Sequence, residues 1–200
     1  MKLLFVDCCV SQRGKDSRTL ALAERYVAAF REKHPEAEVE RVDAGTLTLA
    51  PFTAETLTER DALAQKGEFS APVFDLARQF AAADSVVVAA PFWDLSYPAQ
   101  LKLYIEHISA NGVCYHYDQT GCHGDCRAEK LVYLTSGGDF ERENSVGVLH
   151  WRQLCACLAS LILIMCLPAG WTSTRPKRRI FWKRPAKGPK SLRECGKGGV

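Results

Sequence analysis

The chain has 200 residues and is 47% hydrophobic, which is enough for one domain with a buried core that needs neither disulfide bonds nor a metal. Its nine cysteines, an odd number, argue against a disulfide-stabilised secreted fold, and we recognise neither a signal sequence nor a membrane-spanning segment. The net charge of +3 is uneven, because residues 171–200 hold ten Lys or Arg and one acid, whereas residues 1–170 hold 16 basic and 22 acidic residues. We therefore expect a cytoplasmic protein with no membrane association, an acidic body and a basic tail.

The first part of the chain alternates strands and helices. Residues 2–7 form a short apolar run that predicts the first strand, and a loop of small and polar residues follows it. Ser17 can cap a helix with apolar residues at helical spacing, and residues 37–43 predict a second, more exposed strand. A polar excursion with a short helix near residues 58–66 leads to a helix that begins at Pro72.

The middle of the chain contains an apolar strand and an aromatic turn. Residues 85–90 are rich in valine, which is typical of a strand buried on both faces of a parallel sheet. The aromatic turn follows at residues 91–97, and Pro98 suits the first position of the next helix. Residues 113–117 alternate like an exposed hairpin strand, and a glycine-rich loop is predicted at residues 120–124.

The pattern continues to the end of the acidic body. Residues 130–135 predict a fourth strand, residues 146–156 a helix and residues 160–165 a fifth strand. Strands that alternate with helices predict an α/β fold with a doubly wound parallel sheet.

Three loops are predicted to meet at one edge of this sheet, because the carboxyl ends of parallel strands lie side by side. The first loop enters its helix at Ser17, Arg18 and Thr19, which offer two hydroxyls, a guanidinium and free helix amides. This set suits a phosphate, although helix capping by Ser17 alone also explains it. No Walker-type or dinucleotide-type glycine pattern is present, which argues against ATP and against a Rossmann NAD site.

The third and fourth loops suit a flat ring. Phe92, Trp93, Asp94 and Leu95 follow the third strand, and residues 136–138 follow the fourth. Glycines let the backbone approach a ring closely, and backbone groups can hydrogen-bond a polar heterocyclic edge. Core or interface packing alone would explain the aromatic pair, but the convergence of three suitable loops favours a ligand site.

The chain resembles the FMN-dependent family of flavodoxin-like NAD(P)H:quinone oxidoreductases and NADH azoreductases. The resemblance covers roughly residues 2–156 and rests on residues 17–19, on the segment from Ala90 to Lys102 and on residues 135–138. It implies a flavodoxin-like sheet of order 2-1-3-4-5 and FMN as the cofactor. It also implies NAD(P)H as the hydride donor, a quinone, azo or nitro compound as the acceptor, and a homodimer.

The resemblance also implies roles for individual residues. Cys9 stands where the family often has a small hydroxyl residue, and Asp94 replaces a common Asn. The FMN site is expected to comprise Cys9, Ser17, Arg18, Thr19, Pro91, Phe92, Trp93, Asp94, Leu95, Ser136, Gly137 and Gly138. The acceptor wall, at the junction of two subunits, is expected to include Tyr97, Tyr115, Tyr117 and Phe140. No protein acid or nucleophile is required, because the flavin supplies the chemistry.

The cysteines permit two further readings. Cys114, Cys122, His123 and Cys126 could form a zinc site, but the adjacency of Cys122 and His123 is awkward, so we favour ordinary loop residues and expect no metal. Cys8 and Cys9 beside a helix N-terminus could have a lowered thiol pKa, although packing is the favoured role. Two other functions stay open, namely an FMN-binding electron carrier or regulatory module, and a protein whose basic tail binds nucleic acid or a membrane.

The composition changes at residue 157. The tail is poor in acids and lacks the strand and amphipathic helix that the family would place there. Combining the last base of each codon with the first two bases of the next restores Val from Met165-Cys166, Asp from Trp171-Thr172 and Leu from Phe181-Trp182, without any choice of codon. Synonymous choices elsewhere permit a strand and an acidic helix. We hypothesise that residues 1–156 are the FMN-binding domain and that residues 157–200 are a frameshift product, which could leave the chain less stable or inactive.

Overall fold

A six-stranded sheet forms the centre of the protein. The structure, a computed structural model, describes residues 1–11, 13–137, 145–158, 162–166 and 180–181. The strands are β1 (Lys2–Asp7), β2 (Glu38–Asp43), β3 (Ser85–Ala89), β6 (Lys130–Leu134), β7 (Ile162–Cys166) and β8 (Ile180–Phe181), and β4 (Tyr115–Asp118) with β5 (Gly121–Gly124) forms a separate hairpin. The order is β2-β1-β3-β6-β7-β8, parallel except for β8. The predicted order 2-1-3-4-5 is therefore confirmed, with β6 and β7 as the fourth and fifth strands and β8 added at the edge.

Helices cover both faces of the sheet. They are α1 (Arg18–Lys33), α2 (Ala54–Gln65), α3 (Asp75–Ala81), α4 (Ala99–Ile108) and α5 (Val146–Leu158). Successive strand residues point to opposite faces, so Leu3 and Phe5 pack with α1 in one apolar cluster. Leu4 and Val6 pack in a second cluster that includes α3, α4 and α5. The central strands are thus buried on both sides, as their valine-rich sequences predict.

Three local expectations differ from the structure. The predicted glycine-rich loop at residues 120–124 is largely strand β5, because the Asp118 carboxylate accepts hydrogen bonds from the amides of Thr120 and Gly121 and closes a tight turn. The helix predicted near residues 58–66 begins earlier, at Ala54, because Thr53 and Thr56 form a reciprocal capping box. Pro98 is the residue before α4 and not its first residue.

Candidate functional site

The N-terminus of α1 lies at the carboxyl edge of the sheet. Ser17 is 8% exposed and caps α1, since its hydroxyl accepts a hydrogen bond of 3.3 Å from the Leu20 amide. The first amides of a helix have no partner within the helix, so those of Arg18 and Thr19 are available to an anion. The first turn contains no acidic residue, and the Arg18 side chain is exposed. The hydroxyls of Ser17 and Thr19 and the free amides therefore lie together at this end of α1, and the Arg18 side chain is exposed beside them.

Cys9 lies beside this helix end. Its thiol donates to the Ala89 carbonyl at 3.9 Å, and its amide donates to Asp7 Oδ1 at 2.9 Å. Burial first, and then the negative charge of Asp7, raises the pKa of the Cys9 thiol to about 12. Burial likewise raises the pKa of Cys8, which is fully enclosed. The alternative of a lowered thiol pKa is therefore wrong at both positions, and Cys9 is a neutral thiol beside the N-terminal end of α1.

An ion pair between Asp7 and Arg41 lies behind the first loop, and the sequence analysis did not predict it. Asp7, the last residue of β1, is 3% exposed, and its Oδ2 is 2.5 Å from Arg41 Nη2. The Arg41 guanidinium also lies over the Phe5 ring, 5.3 Å from its centroid. The pairing balances the buried carboxylate near the α1 N-terminus. An acid that directly ends an apolar strand was the signal that could have revealed it.

The aromatic turn has a strained backbone. Trp93 and Ser96 exchange two backbone hydrogen bonds, of 3.3 and 2.7 Å, around Asp94 and Leu95, whose φ angles are 48° and 63°. Positive φ at both central residues defines a type I′ turn. Asparagine, aspartate and glycine adopt this conformation at little cost, whereas a leucine in it is strained. Asp94 therefore fits its position. Trp93 is 40% exposed and Leu95 74% exposed, so the turn presents an apolar surface at the edge of the sheet.

Direct hydrogen bonds join the three loops. The hydroxyls of Thr19 and Ser136 are 2.6 Å apart, which connects the start of α1 with the loop after β6. The Phe92 amide donates to the Ser136 carbonyl at 3.1 Å, which connects that loop with the aromatic turn. Pro91, Phe92, Ser136 and Gly137 are all partly buried at this junction. Gly138 and Phe140 lie outside the described residues.

The described tyrosines that were predicted to form an acceptor wall lie in two separate parts of the fold. Tyr97 follows the aromatic turn, and its hydroxyl is hydrogen-bonded to Nδ1 of His150, with the rings stacked. Burial raises the pKa of Tyr97 to about 12 and, with a smaller effect of the Lys102 charge, lowers that of His150. Tyr115 and Tyr117 contact each other edge to face on the hairpin.

The hairpin lies toward the opposite edge of the sheet. The Cys126 amide, just after β5, donates to the carbonyl of Leu158 at the end of α5. The next residue, Arg127, is hydrogen-bonded to Asp84, which precedes β3. Leu158 and Asp84 both lie at the amino ends of the parallel strands. Within one chain, the structure therefore brings Tyr97 near the three loops but leaves the hairpin tyrosines apart from them.

The cysteine cluster is also divided. Cys114 is fully buried and its thiol donates to the Ala77 carbonyl, whereas Cys122 is exposed and its sulfur lies 3.0 Å from that of Cys157. Within the described ranges, no three His, Cys, Asp or Glu side chains are arranged to hold a metal ion. No described helix is long and apolar enough to cross a membrane.

The edge of the sheet fits a phosphorylated ring compound. The donors of residues 17–19 suit a phosphate, and the hydrogen-bonded loops carry the apolar turn away from it. The residues predicted to bind a phosphate and those predicted to contact a ring are thus adjacent in the fold.

Comparisons with known proteins agree with this geometry. A family model described as a flavodoxin-like fold matches residues 1–158. FMN-dependent NADH:quinone oxidoreductase 2 of Clostridium acetobutylicum is 32% identical over 137 residues, which are 68% of each chain. FMN-dependent NADH:quinone oxidoreductase 5 of Pseudomonas fluorescens is 34% identical over 157 residues, 75% of each chain.

Solved structures show the same fold. An azoreductase from Bacillus anthracis superposes with a TM-score of 0.71 at 22% identity, over 84% of this chain and 86% of that one. A NAD(P)H:quinone oxidoreductase from Methanothermobacter marburgensis has a TM-score of 0.65 at 18% identity, over 86% and 88% of the two chains. This chain belongs to the flavodoxin-like fold family, with FMN-dependent NADH:quinone oxidoreductases among its relatives.

Proposed function

We propose that this chain is an FMN-dependent oxidoreductase that transfers a hydride from NAD(P)H to a small quinone, azo or nitro acceptor. The names of its relatives support the cofactor, the donor and the quinone class. The observation that carries the proposal is the hydrogen bond between Thr19 and Ser136, which joins a donor-rich helix end to the loop beside the aromatic turn. One continuous surface thereby offers places for a phosphate and a flat ring.

The chain's own residues bind and orient the cofactor. The hydroxyls of Ser17 and Thr19, the free amides of α1 and the Arg18 guanidinium would hold the phosphate. Cys9 is compatible with this anion because its thiol is neutral, and the charge of Asp7 is balanced by Arg41. The first turn of α1 carries no acidic residue and the exposed Asp16 precedes its cap, so the positive end of the helix remains available to the phosphate.

The aromatic turn and residues 136–138 would enclose the ring. Bound FMN supplies the hydride-transfer chemistry, as cofactors do in such enzymes. Trp93 and Leu95 offer apolar surface that would exclude water from one side of the ring. The backbone of Ser136 is fixed by its bond to Phe92, so the loop is positioned before the ligand binds.

A homodimer would complete the acceptor site. The hairpin tyrosines Tyr115 and Tyr117 are too far around the fold to face the loops of their own chain, but they could reach the site of a second copy. Exposed apolar residues on α5, Val146 and Leu149, and Leu57 on α2 offer a surface for association. Light scattering on a size-exclusion column should report a dimer, and Leu149→Glu should shift it toward a monomer. A wild-type monomer at micromolar concentration would refute this arrangement.

The cytoplasm is the proposed location. The seven cysteines whose side chains the structure describes are free thiols, which suits a reducing compartment. We propose small molecules as the substrates, with no role for nucleic acid or a membrane.

A visible absorption spectrum tests the cofactor assignment. Purified protein, with and without added FMN, should show flavin absorbance that remains after gel filtration. NADH oxidation should then depend on menadione as the acceptor. Bound FMN without NADH oxidation would instead indicate an electron carrier or regulatory module, and failure to retain FMN would refute the flavoenzyme proposal for this chain.

We further propose that residues 157–200 are read in a shifted frame. The end of the family match at residue 158 supports this boundary, which was placed near residue 156 on codon grounds. The strand β7 shows that residues 162–166 can still extend the sheet. The gene sequence is the test, since a single-base change near codon 156 should restore an acidic amphipathic helix. If no such change does so, the frameshift hypothesis fails.

A further inference from the structure

We propose that Cys122 and Cys157 form an oxidisable pair, which a hydroperoxide converts to a disulfide that ties the hairpin to the end of α5. The two free sulfurs lie 3.0 Å apart, within about 1 Å of a disulfide bond length. They come from different parts of the chain, Cys122 from β5 and Cys157 from the last turn of α5. The inference concerns these two residues as they stand in this chain and does not depend on FMN binding.

Accessibility distinguishes Cys122 from the other cysteines. Among the seven cysteines whose side chains the structure describes, it alone is exposed, while Cys157 is partly buried beside it. Burial first, and then the interaction with Cys122, raises the pKa of the Cys157 thiol to about 11. Because a thiolate reacts with peroxide and a thiol does not, the solvent-facing Cys122 is the site of attack and Cys157 is the resolving thiol.

The chemistry balances in two steps. The Cys122 thiol releases its proton and the thiolate attacks the hydroperoxide; the O–O bond breaks, the leaving oxygen takes up that proton, and a sulfenic acid and one molecule of water form when hydrogen peroxide is used. The Cys157 thiol then attacks the sulfenic sulfur, the S–O bond breaks, and a second water leaves as the disulfide forms. The two thiols lose two electrons and two protons in total, and the peroxide gains them.

The neighbouring contacts show what the bond would restrain. Cys122 lies opposite Tyr117 in the hairpin register, so the disulfide would fix the strand that faces an exposed tyrosine. The hairpin already contacts the end of α5 through the bond between the Cys126 amide and the Leu158 carbonyl. A covalent link would therefore lock an existing contact and would not require the helix to move.

A second cysteine pair provides an internal comparison. Cys126 donates a sulfur hydrogen bond to the Cys114 carbonyl, and the two thiols interact. Cys114 is fully buried, and the hydrogen bond from Cys126 together with burial raises its pKa far above the usual range. Cys126 is only partly buried, but Cys122 is the more exposed thiol, so solvent peroxide should oxidise Cys122 before either member of this pair.

The experiment treats the reduced full chain with one equivalent of hydrogen peroxide and then alkylates the remaining thiols. Intact mass should fall by two hydrogen atoms before alkylation, and peptide fragmentation should place the link between Cys122 and Cys157. Cys122→Ser should abolish the link, and Cys157→Ser should leave a sulfenic acid that dimedone traps. Cys126→Ser, in the same tryptic peptide as Cys122, is the matched control and should form the link as the wild type does.

Three results would overturn the proposal. They are a link that fragmentation of the wild-type protein maps to another cysteine pair, an unchanged thiol count after peroxide, and a link that joins two chains. Mapping in the wild-type protein is decisive even if a serine variant folds poorly.

Discussion

Substitutions at Ser17 separate its structural role from its proposed role in binding. Ser17 caps α1, and its hydroxyl also belongs to the proposed phosphate site. Aspartate caps a helix as well as serine does, but it places a negative charge beside the phosphate. Ser17→Ala should therefore lose the cap and one hydrogen bond, whereas Ser17→Asp should keep the cap and repel the ligand.

Ser17→Ala should have the larger effect on stability, and Ser17→Asp the larger effect on FMN affinity. Loss of the cap in Ser17→Ala should lower the free energy of unfolding of the apoprotein by about 1 kcal/mol. Loss of one hydrogen bond to a charged group, about 1.5 kcal/mol, should weaken FMN binding about tenfold. Two unit charges about 4 Å apart repel by about 4 kcal/mol at an effective dielectric constant of 20, and partial solvent screening should leave about 2 kcal/mol. Because Ser17→Asp also loses the hydrogen bond of the hydroxyl, the two losses together reach about 3.5 kcal/mol, so this variant should bind FMN about 300-fold more weakly with nearly wild-type stability.

Fluorescence titration with FMN, together with urea unfolding of the apoprotein, measures both quantities. Riboflavin lacks the phosphate, so its affinity should be the same for Ser17→Asp and the wild type. Thr53→Asp is the matched control, because Thr53 caps α2 and is not among the proposed site residues. If Ser17→Asp binds FMN within threefold of wild type, the N-terminus of α1 is not the phosphate site and the reasoning is wrong.

Three further predictions follow from the backbone, the titratable groups and the core. Leu95→Gly should raise the free energy of unfolding by about 1 kcal/mol, because it relieves a left-handed leucine. Glu24→Gly on the exposed face of α1 should lower it by about 1 kcal/mol, so urea unfolding of both variants distinguishes this from a general effect of glycine. The pKa of His150 in the folded protein lies below its ordinary value near 6.5, so the unfolded chain takes up a proton first as the pH falls. The free energy of unfolding should therefore decrease as the pH drops through and below 6.5. Thermal unfolding of His150→Gln at several pH values should lack this decrease, and a pH profile equal to that of the wild type would contradict the prediction. Trp151 is fully buried, and its indole N–H has no hydrogen-bond partner among the described residues. Trp151→Ala should therefore lower the free energy of unfolding in urea by about 3–5 kcal/mol, whereas Trp151→Phe should lower it by less than about 2 kcal/mol. Equal losses in the two variants would contradict this prediction.

The family resemblance identified the cofactor site before any contact was known. Ser17, Thr19 and Ser136 are local signals, since each stands where a strand ends or a helix begins. Their convergence follows from parallel pairing, which brings the loops after β1, β3 and β6 to one edge. The hydrogen bond between Thr19 and Ser136 confirms that the first and fourth loops meet there, although it spans 117 residues of sequence.

Other features depended on the tertiary structure alone. The pairing of Tyr97 with His150 and the approach of Cys122 to Cys157 join residues with no fixed spacing in the sequence. The direction of the hairpin, toward the amino edge, also follows from packing against α5 and not from the alternating pattern of its residues.

The sequence by itself determined the order of strands and helices, because periodicity, caps and turn residues act over a few neighbouring positions, and its motifs were enough to recognise the family. Tertiary structure decided which distant side chains meet. It buried Asp7 against Arg41, kept the Cys9 thiol neutral and brought Cys122 beside Cys157. These outcomes depend on strand register and helix packing, which set distances and burial that no spacing along the chain records.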